Sequence, residues 1–282
     1  MSPRPKRRRE RGLEFHGPVI MATRVVLVVL YTVPVIWILL TSLKSTADAV
    51  NPHRLFRFTP TLESYATAFR SGILHAGLQS LIIATGTTAL VLLVALPAAY
   101  GLARVPGPVA IGGLGILVTL QMLPQTATVI PLFQVLGKVG LIDSILGVIL
   151  SNAAMLTPWA TLLLRPFFRS VPAAIEESAA LDGASSLRTF FSIMLPIARN
   201  GAATTGTLVF ILSWGEFLYS ITFLLSPTKY PLSAKLAVQI GQFSSNWSGL
   251  MTVAVLTALP ILVLFVFTYR LLREGLTLGA VK

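Results

Sequence analysis

The sequence has no cysteine, which excludes disulfide frameworks, thiolate metal sites and cysteine nucleophiles. Its histidines, His16, His53 and His75, lie outside or at the edge of the apolar runs. No His/Glu pair has metal-ligand spacing, so no metal site and no catalytic residue is assigned. No G-x-x-x-x-G-K-[ST] stretch occurs, so the chain has no phosphate cradle for ATP of its own. Charge is scarce too: 11% of the 282 residues are charged, against about a quarter in soluble domains. Acids are the scarcest, 10 against 22 basic residues. What is abundant is apolar: 54% of residues are hydrophobic and the mean hydropathy is +0.79. That composition excludes disorder and points away from a water-soluble globule. In a soluble protein the net charge of +12 would suggest nucleic acid, whereas in a membrane protein it marks basic cytoplasmic ends and loops.

A membrane-crossing helix needs roughly 20 mostly apolar residues at about 1.5 Å rise each. Stretches free of Asp, Glu, Lys and Arg predict six: 25–43, a second inside 76–103, a third within 105–137, then 144–164, 201–225 and 248–269. The fifth is the exception, because it contains Glu216. Pro106, Gly107 and Pro108 supply the turn between the second and third. The third is interrupted by Gln121, Pro124 and Gln125. It is either a Pro-kinked helix whose amides are satisfied by neighbours, or a lining of the transport path.

Arg4, Lys6, Arg7, Arg8, Arg9 and Arg11 resemble a nucleic-acid patch or the start of a signal peptide. The following apolar run is too long for a signal peptide and has no small-residue cleavage site after it. An uncleaved first span behind a basic cytoplasmic tail, 1–19, is the better reading. Six spans put both ends on one side. With the N-terminus inside, 15 basic residues face the cytoplasm and 7 face outward, which predicts N-in, C-in. The expected fold is an all-α membrane protein with six transmembrane helices, a membrane domain over 20–282 and no nucleic-acid partner.

Three loops are long. Two are external, 45–74 and 226–247, and the third, 170–196, lies on the cytoplasmic side between spans four and five. Pro172 suits a first helical turn, where its missing N–H is not needed. Glu176 and Glu177 follow where negative charge favours the helix dipole. Gly183 stands where a left-handed residue would end that helix. Ser185 or Ser186 restarts a second helix whose apolar face is Leu187, Phe190, Phe191 and Met194. Such a hairpin either rests on lipid or docks a cytoplasmic partner, and its acids favour a protein.

Here the residues carry a resemblance. Glu177-Ser178-Ala179, three residues, Gly183, nine residues, then Ile193-Met194-Leu195-Pro196 resembles the EAA loop of ABC importer permeases, E-A-A-x3-G-x9-I-x-L-P. Ala98-Ala99-Tyr100-Gly101-Leu102-Ala103-Arg104, Trp214-Gly215-Glu216-Phe217, Thr61-Leu62-Glu63-Ser64-Tyr65 and the ending Gly275-Leu276-Thr277-Leu278-Gly279-Ala280-Val281-Lys282 are similar to motifs of the MalG-like carbohydrate branch. The match runs from about residue 20 to the end. It departs at Gly215 and at Ser64, where Asn is usual.

The resemblance implies a translocation subunit, not an enzyme, in a bacterial or archaeal cell membrane. Its partners would be a second permease chain, two ATP-binding cassette subunits and an extracellular solute-binding protein. ATP and Mg would be hydrolysed by the partner ATPase, with no cofactor bound by this chain. Loop 170–196 would hold a coupling helix, with Glu176, Glu177, Ser178, Ala179, Asp182, Gly183, Leu195 and Pro196 as the residues that meet the ATPase. Glu177 would anchor it, Ala179 would permit close approach and Gly183 would make the turn. Gln121, Gln125, Asn152, Trp214 and Glu216 are candidates for a polar path suited to a hydroxyl-rich solute. Glu216, the one acid inside an apolar run, is a functional candidate, or it pairs with the partner permease or reaches the outer interface. The rival function is an ion-coupled secondary transporter with Glu216 as coupling carboxylate.

Overall fold

A computed structural model describes residues 17–242 and 246–278, with side chains for 20–240 and 246–269. The basic tail, part of the second external loop and the last four residues of the G-L-x-x-G-A-V-K ending lie outside the described residues. Among the described residues all regular structure is helical. The order is α1 (Gly17–Ser42), α2 (Thr46–Ala49), α3 (Glu63–Arg70), α4 (Ile73–Arg104), α5 (Gly107–Gln121), α6 (Gln125–Lys138) and α7 (Ile145–Arg169). There follow α8 (Ala173–Leu181), α9 (Ser186–Thr189), α10 (Leu195–Ile197), α11 (Arg199–Gly215), α12 (Leu218–Phe223), α13 (Leu232–Gln242) and α14 (Trp247–Leu278).

Four helices are long and apolar enough to cross a membrane: Ile20–Ser42 in α1, α4, α7, and Trp247–Tyr269 in α14. The expected third span is two helices, α5 and α6, bent by 92° at Met122-Leu123-Pro124. Proline at that break removes a donor and disfavours helix in the residue before it. The expected fifth span is not one helix either. Its first part, α11, has 17 residues, short of a full crossing. The chain then leaves helix at Glu216, whose backbone is extended (φ −68°, ψ 129°), and resumes as the six-residue α12. The helices alone therefore give four crossings, or five with the bent pair as one.

The core is the seam between α4 and α7. On α4, Ala84, Thr87, Val91, Ala95 and Ala99 recur every three or four residues and are fully buried. On α7, Val148, Ala160, Leu164 and Phe168 are equally enclosed. Small side chains at this spacing let two helices approach closely, which matters where lipid gives no hydrophobic drive to association. Helix α11 lies along α4, α5 packs on α7, and α14 runs between α1 and α11. Helices α1 and α14 are the most exposed of the apolar four. One end of the bundle carries α8 to α10. The opposite end carries α2, α3 and α13. There Ser42 bonds Tyr65 Oη at 2.8 Å, and Ser64, at one of the two departures from the family pattern, bonds Ser248 at 3.0 Å.

Candidate functional site

The segment 170–196 folds as its residues dictate. Pro172 sits at the cap position just before α8. Helix α8 stops in a Schellman arrangement: Ala184 N–H donates to Ala179 O at 2.9 Å and Gly183 N–H to Ala180 O at 3.0 Å. Gly183 takes φ +79°, a backbone that residues with a Cβ avoid. Of the two candidate caps for the next helix, Ser185 is the one used, accepting from Arg188 N–H at 3.4 Å.

Glu176 turns back to α4. Tyr100 Oη donates to its Oε2 at 2.7 Å, and the Arg104 guanidinium pairs with its Oε1. The same guanidinium donates to Val171 O at 3.1 Å. Tyr100 packs edge-on to Phe168 (5.7 Å between centroids) and against Phe190 (5.3 Å). The expected apolar face of the second helix divides. A π-helical stretch, Phe190–Met194, buries Phe190 and Met194 in this cluster, while Leu187 and Phe191 are 71% and 61% exposed. Leu181, at the tip of α8, is 90% exposed. Glu177, Ser178, Asp182, Gly183 and Pro196 are exposed, Leu195 is half-buried and Ala179 is buried. The segment is thus fastened at Glu176 and open along its far side.

The path candidates separate. Gln125, Asn152 and Glu216 line one cavity of about 310 Å³ together with Gly215. Glu216 accepts from Gln125 Nε2 at 3.0 Å, Tyr219 N–H at 2.7 Å and Ser220 Oγ at 3.3 Å. Its carboxylate therefore caps the start of α12, which is why the helix can break inside an apolar run without orphaned donors. Asn152 is buried, and its Nδ2 has no hydrogen-bond partner among the described residues. Gln121 is spent on Met155 O at 3.0 Å. Trp214 is elsewhere: it is buried, stacks on Phe210 at 5.8 Å and donates to Thr257 O at 3.1 Å. The structure thus gathers three of the five around one cavity and sets Gln121 and Trp214 outside its lining.

Sequence reasoning missed Asp143. It holds φ 56° between α6 and α7, and its carboxylate accepts from Leu225 N–H, Ser226 N–H, Ser226 Oγ and Lys229 Nζ at 2.9, 3.0, 2.7 and 2.7 Å. Lys229 first, then Ser226 and Leu225, hold its carboxyl well below the usual carboxylate range. No local pattern marks an acid whose partners lie more than 80 residues away. The partners of Glu176 had a fainter signal, since Tyr100 and Arg104 stand four apart on one helix face.

Residues 92–277 match the family described as binding-protein-dependent transport system inner membrane component. The chain is 32% identical to the sulfoquinovosyl glycerol transport system permease protein SmoH of Agrobacterium fabrum, covering 88% of each chain. It is 33% identical to the trehalose transport system permease protein SugB of Mycobacterium tuberculosis, covering 88% of this chain and 92% of that one. Its fold is similar to that of a chain in the crystal structure of a bacterial ABC transporter that imports the acidic polysaccharide alginate, with a TM-score of 0.76, 20% identity and coverage of 90% and 95%.

Proposed function

The chain belongs to the family of binding-protein-dependent transport system inner membrane components, and we propose that it forms half of the translocation pathway for a carbohydrate or related polar solute. It is a permease subunit of an ABC importer, a multi-pass membrane protein. Relatives named for sulfoquinovosyl glycerol and trehalose support a sugar as cargo. The rival, an ion-coupled transporter using Glu216, has no support: the family is one of binding-protein-dependent transport components, and Glu216 is engaged as a helix cap.

In this proposal the chain is one permease domain over 20–282 behind a basic tail, 1–19. It crosses a bacterial or archaeal cell membrane six times, with both ends in the cytoplasm. The bent α5–α6 pair and the interrupted α11–α12 each complete one crossing. The basic-residue asymmetry, 15 against 7, supports this orientation and places α8 inside. A second permease chain completes the pore, an extracellular binding protein delivers solute, and two cytoplasmic cassette subunits bind and hydrolyse ATP with Mg. The chain itself holds no ATPase site.

The observation that carries the proposal is the geometry of α8, rooted on α4 by Glu176 and exposing Glu177, Asp182 and Leu181 beyond it. A groove of the ATPase seats this surface, and closing of the cassette dimer moves α8 as a lever. The bundle then rocks between inward and outward access as packed bodies, not by continuous deformation. Gly183→Val tests it. No atom lies within 4 Å of a Cβ there, so the change acts through the φ of +79° and not through a clash. A left-handed β-branched residue costs roughly 1–2 kcal/mol or more. Solute uptake should be abolished while the chain still inserts at normal abundance. Uptake at the wild-type rate would overturn the lever.

A further inference from the structure

The cavity beside the α11–α12 break has features that a packing defect would not have. Its volume of about 310 Å³ lies at the lower end of the roughly 300–1,000 Å³ of small-molecule sites, so it suits one ring and not an oligosaccharide. Buried Asn152 lines it, and its Nδ2 lacks a partner among the described residues. Buried donors are rarely left so, since an unmade bond costs more than a made one gains. It also presents an acceptor. Glu216 Oε1 takes two bonds, but Oε2 takes only the 3.3 Å bond from Ser220, and an ionised carboxylate has about four acceptor sites. The rim is apolar: Phe217 lines the cavity and is 46% exposed, a surface that suits the C–H face of a sugar ring. Gly215 also lines it, and a Cβ there would meet nothing within 4 Å.

We propose that this cavity is a subsite for a single sugar ring, in which the Asn152 amide turns toward the ring to donate to one hydroxyl, Glu216 accepts from the adjacent one, and Gly215 keeps open the space the ring occupies. A vicinal diol can be held by such a pair, one hydroxyl accepting and its neighbour donating. The inference rests on the proposed sugar-import function and locates solute contacts in this chain.

Because this chain has no cysteine of its own, a single cysteine placed in it can be followed on this chain within the complete transporter. Wild-type complex in proteoliposomes, with its binding protein and ATPases, is first assayed for ATP-dependent uptake of trehalose, maltose and cellobiose. Failure with all three counts against the carbohydrate reading itself. With a sugar that is imported, Gly215→Cys should react with a charged methanethiosulfonate reagent, and that sugar should slow the reaction several-fold. Asn152→Leu keeps the shape and removes the donor. It should raise the KM for uptake about tenfold, the loss of roughly one hydrogen bond, with binding-protein affinity and chain abundance unchanged. Gly215→Asn should reduce uptake by filling the space. An unreactive or unprotected cysteine at 215, or an unchanged KM for Asn152→Leu, overturns the subsite while leaving the import function standing.

Discussion

The two ends of the bundle are fastened in opposite ways. At the α8 end, the segment 170–196 is secured mainly at its root, by Glu176 on Tyr100 and Arg104 and by the Phe168–Phe190 cluster. Its other side presents Leu181, Leu187 and Phe191 to the surroundings. At the opposite end, polar groups turn toward distant parts of the same chain. Asp143 gathers four donors from 225–229, Thr128 bonds Tyr219 Oη at 2.6 Å, and Gln125 reaches Glu216. Asp143 N–H also donates to Phe223 O at 2.7 Å. Helices α6 and α12 are thus tied at several levels and form one block, beyond the breaks at Met122-Leu123-Pro124 and at Glu216-Phe217. One end is held mainly at a point, the other tied together as a piece.

The largest expected effect lies at the root. Arg104→Glu sets two carboxylates against each other, and like charges in a half-buried site repel. Uptake should fall tenfold or more, roughly the effect of losing a charge-assisted hydrogen bond. The paired exchange Arg104→Glu with Glu176→Arg should recover part of it. Wild-type uptake in the single variant would mean that the lever needs no root, and the contrast between the ends would collapse.

A smaller effect is expected at the block. Asp143→Ala removes four acceptor contacts at one stroke. The melting temperature of the purified complex should drop by a few degrees, while uptake is reduced less than by Arg104→Glu. The reverse ranking would show that transport depends more on the block than on the lever.

The smallest effect is with pH. Because the Asp143 carboxyl is held below its usual range, its contribution is complete above the unfolded value of about 4. It is lost as pH falls further, through the lower folded value. The stability gap between wild type and Asp143→Asn should therefore be widest near neutral pH and narrow below about pH 4. A gap that stays constant into acid would sink the assignment of Asp143 as an ionised clasp.

Much of this molecule is legible locally. The ends of α8 follow from Pro172 and Gly183, the restart from Ser185, and the end of α4 from Arg104, whereas α7 runs past the expected limit at Arg165 to Arg169. These rest on backbone rules that act within one turn. Glu216 was legible as unusual but not as a cap, because its partners include Gln125, 91 residues earlier. Trp214 lies away from the cavity that Gln125, Asn152 and Glu216 line, since type and position do not say which side of a helix meets a neighbour. The same limit hid the division of Phe190 and Met194 from Leu187 and Phe191, which the π-helical stretch decides by rotating one face past another.

Scarcity of charge, with long apolar runs, marked the chain as a membrane protein. The motif spacing around Gly183 and the span-end motifs settled its family. Those properties depend on composition and on residues close in sequence. Tertiary structure alone decided that the expected fifth span is not one helix, that its break meets the α5–α6 bend through Gln125 and Glu216, and that buried Asn152 lines a cavity with its Nδ2 unpaired among the described residues. Each requires side chains from separate helices to come within hydrogen-bonding distance, and only the packed bundle fixes that.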